Sequence, residues 1–245
     1  MDWDPPLKPA EVAESRLVEA ILDGRFPIGS SLPAERELSR MLGVTRPTLR
    51  EALQRLGRDG WLDIRQGRPT RVRNYWQEGS LAVLGAIVQH ASHLPKDFVA
   101  NLLAVRQLLA PAYIRLAVLN QPGQVRELLA GYDRLEDSPE AYAAADWELH
   151  HRLTIASGNP VFTLILNGFC DFYQTMALIY FQQPVSRRHS QGFYRQLLLA
   201  AQARDPARAE SMTREVMADS LTLWNRAVNR NKNPLNHEDA KSAKE

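Results

Sequence analysis

The chain has 245 residues, 44% of them hydrophobic and 24% charged, and a formal net charge of +2. That is enough for one large or two smaller domains, and it is too apolar for a disordered chain. The single cysteine, Cys170, excludes an internal disulfide framework and a cysteine-rich zinc site and fits a reducing, cytoplasmic setting. The N-terminal stretch MDWDPPLKPAEVAES is acidic and lacks the apolar core of a secretory signal. The longest apolar run, Leu81 to Val88 with Gly85 inside it, is far below the roughly 18–20 residues of a membrane span. No membrane partner is expected.

Charge placement says more than the total. Between Arg36 and Arg73 there are ten arginines and no lysine, against Glu37, Glu51, Asp59 and Asp63. Arginine's planar fork suits phosphates and guanine edges. A solvated basic face would have the same composition, so the pattern along the chain decides.

Residues 10–23 place Val12, Leu17, Val18, Ile21 and Leu22 mostly along one stripe, which predicts a helix ended by Gly24. RFPIGSSLP is turn-rich. A second helix, AERELSRML, follows Pro33 and stops at Gly43. Thr45 is a good N-cap for a third helix, RPTLREALQRLGRD, which Gly60 stops. WLDI and TRV flank the turn QGRP as two short strands. Leu38, Leu42, Val44, Leu49, Leu53 and Leu56 are the candidate core that sets the angle between the second and third helices. The order of elements is that of a helix-turn-helix with a wing. Helices are then predicted at 80–90, 95–118, 123–136, 139–157, 160–182, 187–204 and 206–230, with a kink or break at Pro111. The fold class is mainly α. A winged helix-turn-helix domain spans 1–76, an all-α bundle of six or seven helices spans 77–230, and a polar, disordered tail spans 231–245.

LPAERELSRMLGVTRPTLREALQRLGRDGWL resembles the winged-helix DNA-binding domain of the GntR family of bacterial transcription factors, over roughly residues 10–73. The helical second domain is similar to the ligand-binding domain of the family's FadR branch. GWLDIRQGRPTRVRNYW, NLLAVR, ASGNPVFTLILNG, GFYRQL and the Ser220–Trp224 pair are most similar to its fatty-acid-responsive members. The resemblance implies a homodimeric regulator that binds a pseudo-palindromic operator and is released by long-chain acyl-CoA. It makes Arg36, Thr45, Arg46, Thr48 and Arg50 the DNA contacts of the helices, and Gln66, Gly67 and Arg68 those of the wing tip. Relatives often present a histidine where Gln66 stands. The residues agree with this assignment: Arg46 and Arg50 share one helix face near the end that enters the major groove, and Gly67 permits a tight turn beside the duplex.

In the second domain, Asp146 and His150 sit at a spacing that can share a divalent metal. Metal-binding relatives add two histidines from later helices; the matching positions here are Tyr194 and Val216. No metal is therefore expected, and the pair is read as a buried hydrogen bond or as the polar wall of a pocket. The fatty-acid-responsive members have an apolar tunnel instead. Leu102, Leu103, Phe169, Phe172, Tyr173, Tyr180, Phe193 and Tyr194 supply suitable side chains. By resemblance Arg106, Tyr173, Tyr180, Tyr194, Ser220 and Trp224 form the ligand site. His150 stands where those members are apolar and aromatic. The other reading is a GntR-type regulator that senses a small organic acid, through a residual metal. No nucleophile elbow, phosphate-cradling glycine loop or HExxH is present, so neither a catalytic residue nor a cofactor is expected. A purely architectural DNA-binding protein would need no aromatic pocket.

Overall fold

The computed structural model describes residues 8–90 and 97–231. It divides into two compact units, Met1–Leu94 and Pro95–Glu245. In the first, α1 (Pro9–Leu22), α2 (Glu35–Leu42) and α3 (Arg46–Asp59) precede β1 (Leu62–Asp63), β2 (Arg71–Val72), α4 (Tyr75–Glu78) and α5 (Leu81–Gln89). The division falls later than 76/77 because α5 packs on α1 and α3. Ser80 makes that return possible: its hydroxyl caps α5 by accepting from the Ala82 amide at 3.2 Å and donates to the Asp59 carbonyl at 2.9 Å.

The turn of the helix-turn-helix is short because Gly43 adopts φ 68° at the end of α2, where a side chain would be strained. The Arg16 guanidinium donates to the Leu42 carbonyl, in the last turn of α2, at 2.9 Å. Thr45 then caps α3, its hydroxyl accepting from the Thr48 amide at 3.3 Å. Leu38, Leu42, Leu49, Leu53 and Leu56 are buried as expected, together with Leu17, Trp61 and Leu62; Val44 is only half-buried. Gly60 combines φ 103° with a close approach, since a Cβ there would meet the Gly79 Cα at 3.0 Å. The wing is antiparallel, pairing Leu62 with Val72 and Asp63 with Arg71. The connector read as turn-rich adds a further bridge, Ser31 to Arg71.

The second unit is helical: α6 (Phe98–Asn120), α7 (Pro122–Leu129), α8 (Pro139–Ala156), α9 (Pro160–Asn167), α10 (Cys170–Phe181), α11 (Pro184–Ala203) and α12 (Pro206–Asn231). α6 packs along α12 and against α8. Of the kink or break expected at Pro111, the break does not occur: the helix runs through it, Pro111 removing one amide donor while its side chain is buried. α6 is long and apolar enough to cross a membrane, with a mean hydropathy of 1.5, but Ala110, Tyr113, Ile114, Ala117 and Val118 are core residues of the bundle. The single helix expected over 160–182 is two, broken at Gly168 and Phe169, where poor helix formers meet. The helix expected over 123–136 ends at Leu129 and tightens into a 3-10 turn, Tyr132–Arg134. Asn231 ends α12; the rest of the tail expected over 231–245 lies outside the described residues.

Candidate functional site

Two sites take shape, one in each unit. In the first, α2, the start of α3 and the wing present the arginines. Arg36, Arg40, Arg46, Arg50 and Arg68 are all exposed. Carboxylates partition the ten arginines of this stretch. Arg50, Arg55, Arg58, Arg65 and Arg73 each have an acidic partner. Arg36, Arg40, Arg46, Arg68 and Arg71 have none among the described residues. The unpaired group therefore includes three of the expected contacts, Arg36, Arg46 and Arg68. Thr45 and Thr48 are linked through their hydroxyls at 2.8 Å. Gly67 has φ 73° at the wing tip, between exposed Gln66 and Arg68, and the Arg68 amide closes the turn on the Arg65 carbonyl at 3.2 Å. Arg65 itself is drawn back to Asp63 at 3.0 Å. Glu35, whose charge suits the positive end of α2, also reaches α3: its carboxylate holds the Arg50 Nε at 2.8 Å.

In the second unit α6, α9, α10 and α12 enclose a cavity of about 140 Å³. Arg106, Tyr173, Tyr180, Ser220 and Trp224 line it, as do Leu102, Leu103 and Phe169. Leu109, Phe162, Ile165, Leu166 and Met176 complete the apolar wall. Phe193 and Tyr194 do not face it; they are buried in the bundle core, Tyr194 lying behind Asp146. Nothing is described of the Phe172 side chain.

A polar network closes one side of the cavity. The carboxylate of Asp146 is buried and accepts from Tyr194 at 2.8 Å, from Arg106 at 3.2 Å and from Tyr173. Arg106 also donates to the His150 Nε2. The ring nitrogen that accepts must be unprotonated, so the other, Nδ1, carries the proton toward the Tyr113 hydroxyl at 2.6 Å. The Arg106 guanidinium lies 5.3 Å from the Tyr173 ring centre. Its Nε is buried without a partner among the described residues.

Electrostatics agrees with that proton assignment. Burial, reinforced by the adjacent Arg106 charge, pushes His150 down to about 3, so the ring is neutral. Burial alone would raise the Asp146 carboxyl, but its charged and hydroxyl neighbours outweigh this and hold it below the usual carboxylate range. Burial and the neighbouring carboxylate raise Tyr173 and Tyr194, which keeps both hydroxyls as donors. With Arg106 cationic, Asp146 anionic and His150 neutral, the network carries no net charge. Asp146 and His150 approach to 3.8 Å, but both carboxylate oxygens already accept hydrogen bonds, as does the unprotonated nitrogen of His150. His189 reaches the Val216 carbonyl at 3.4 Å. Ser220, read as a ligand contact, donates to the Val216 carbonyl at 2.8 Å and lies 3.5 Å from the Tyr180 hydroxyl.

Comparison with known proteins matches both units. The gntR family of bacterial regulatory proteins matches residues 9–72, and the FadR C-terminal domain matches residues 73–235. A fatty acid metabolism regulator protein of Erwinia tasmaniensis is 46% identical over 190 residues, 78% of this chain and 80% of that one. One of Shewanella denitrificans is 43% identical over 221 residues, 89% of this chain and 91% of that one. Among solved structures, Lar, which controls the expression of the Listeria monocytogenes agr system, shares the fold at a TM-score of 0.60 and 16% identity, over 91% of this chain and 99% of that one. The chain thus belongs to the gntR family of bacterial regulatory proteins, in the branch that carries the FadR C-terminal domain.

Proposed function

We propose that this protein is a cytoplasmic transcriptional regulator of fatty acid metabolism that binds a pseudo-palindromic operator as a homodimer and is released by long-chain acyl-CoA. The observation that carries the effector reading is the cavity of the second unit, whose wall is apolar apart from a small charge-balanced network at one side. Such a wall suits a long hydrocarbon chain and offers little to a small, strongly hydrated organic acid. The names of the Erwinia and Shewanella relatives support the same metabolic role. The DNA reading rests on the exposed arginines at α2, the start of α3 and the wing tip that have no acidic partner among the described residues. A two-fold dimer matches a two-fold site. Release requires only that the effector bind the non-DNA state more tightly.

Chain length tests this. Each methylene buried adds about 0.8 kcal/mol, so four add about 3 kcal/mol, or roughly 200-fold in affinity. A C16 or C18 acyl-CoA is expected to release labelled operator at far lower concentration than a C8 acyl-CoA, and free CoA to do little. Equal potency of C8 and C18 would contradict burial of the chain. Release by a small dicarboxylate instead would favour the organic-acid reading.

A further inference from the structure

We infer that Glu35 is a positioning residue for DNA recognition: it fixes Arg50 in the direction from which that arginine reads one base pair of each half-site. The inference rests on the DNA-binding reading above.

Arg46 and Arg50 lie on the same exposed face at the start of α3, four residues apart, and both are arginines. Their surroundings differ. Arg46 has no acidic partner among the described residues, whereas the Arg50 Nε donates to the Glu35 carboxylate at 2.8 Å. Glu35 belongs to a different element, the first turn of α2, and lies fifteen residues away in sequence. The contact is therefore tertiary, and it ties the two helices of the motif together at the reading face.

The pair is exposed, with 63% of the Arg50 and 43% of the Glu35 side chain accessible, so it contributes little to stability. Its geometry is more informative. The contact engages Nε, at the root of the guanidinium. Free arginine samples many rotamers, and ordering it on DNA costs entropy. With Nε held by the carboxylate, the guanidinium samples fewer orientations, and the terminal nitrogens remain available as a bidentate fork. A carboxylate on a DNA-facing surface also repels phosphate. A residue retained only for affinity would not be acidic; one that orients a reader trades general affinity for discrimination.

Two effects of Glu35→Gln follow, with opposite signs. Removing one negative charge strengthens binding to any duplex, and loosening Arg50 weakens discrimination at one position. A merely structural role produces neither pattern. The test is in vitro selection from a randomised duplex pool with wild type, Glu35→Gln, Arg50→Ala and Arg46→Ala. Titrations of the wild-type consensus duplex and a scrambled duplex of equal length follow. Circular dichroism confirms that each variant is folded.

Glu35→Gln is expected to bind the scrambled duplex as tightly as wild type or several-fold more tightly. Its preference for the consensus is expected to fall roughly five- to a hundredfold, the range for one bidentate base contact. The base pair it relaxes is expected to be the one relaxed by Arg50→Ala and not the one relaxed by Arg46→Ala. In an Arg50→Ala background Glu35→Gln should cost no further discrimination. The inference fails if Glu35→Gln keeps the wild-type preference, relaxes the Arg46 position, or loses as much discrimination without Arg50 as with it. If wild type itself selects no consensus, the DNA-binding reading fails instead.

Discussion

Acid should destabilise this protein through one buried imidazole. His150 is inaccessible to solvent, and burial beside Arg106 depresses it from the ordinary 6.5 to about 3. In the unfolded chain the same ring takes up a proton near 6.5. A group depressed on folding contributes stability that is fully present above its unfolded value and lost as the pH falls toward its folded value. The window here is therefore about pH 6.5 to 3. Each pH unit inside it costs about 1.4 kcal/mol, so lowering the pH from 7 to 5 should cost about 2 kcal/mol. For a unit of this size that corresponds to a fall of roughly 4–8 °C in melting temperature. Asp146 adds nothing in this interval, because its carboxyl is depressed from an already lower value and titrates in stronger acid.

His150→Gln isolates the contribution. The amide does not titrate, its oxygen can accept from Arg106, and its nitrogen can donate to the Tyr113 hydroxyl, as the neutral ring does. Its stability at pH 7 need not equal that of wild type, because the decisive quantity is the slope. Urea unfolding of both proteins at pH 7 and pH 5, followed by near-ultraviolet circular dichroism, measures it. The variant is expected to lose about 2 kcal/mol less than wild type over that interval. Equal losses in the two proteins would show that His150 is not a buried neutral ring in the folded state, and the proton assignment of the whole network would fall with it.

Arg46→Ala and Arg50→Ala are each expected to weaken specific operator binding by roughly 1–3 kcal/mol, with lower salt restoring affinity only in part; gel-shift titrations at two salt concentrations check both. Elemental analysis of protein purified without chelator is expected to give well under one divalent metal per chain, because Arg106, Tyr173 and Tyr194 engage the lone pairs of Asp146 and His150. A stoichiometric metal lost in His150→Ala would reverse that reading. Trp224→Ala removes a large part of the cavity wall and is expected to bind operator normally but to need far more acyl-CoA for release. A titration of effector against preformed complex separates the two effects.

The local parts of this fold were legible because their causes are local. Gly43, Thr45 and Gly60 act on their own backbone, so the helix-turn-helix can be read with its caps and its leucine core. The break at Gly168 was missed because apolar residues continue across it, and nothing in the apolar pattern marks where α7 ends and the 3-10 turn begins. Site residues divide the same way. Arg36, Arg46 and Arg68 are candidates that the family resemblance and the local run of arginines already mark in the sequence. The partners of Asp146 could not, because Arg106 lies 40 residues before it and Tyr194 lies 48 after it. Residue type marks Phe193 and Tyr194 as apolar, bulky side chains to be buried, but not whether they face a cavity or the core behind it.

That distinction explains how an ionic pair can sit beside an apolar cavity. A lone buried Arg106 or Asp146 would be expensive, since its desolvation would be uncompensated. Together they cancel: the neutral His150 ring, itself held by Tyr113, accepts from Arg106, and the phenols of Tyr173 and Tyr194 donate to Asp146, which leaves only the Arg106 Nε without a partner among the described residues of this network. Tyr194 therefore contributes from the core side, by fixing the Asp146 carboxylate, although it does not line the cavity. The network presents oriented dipoles and no net charge to whatever enters. A hydrocarbon chain meets an apolar wall with one polar margin, while a free anion or a divalent cation would disturb a balance the protein has already closed.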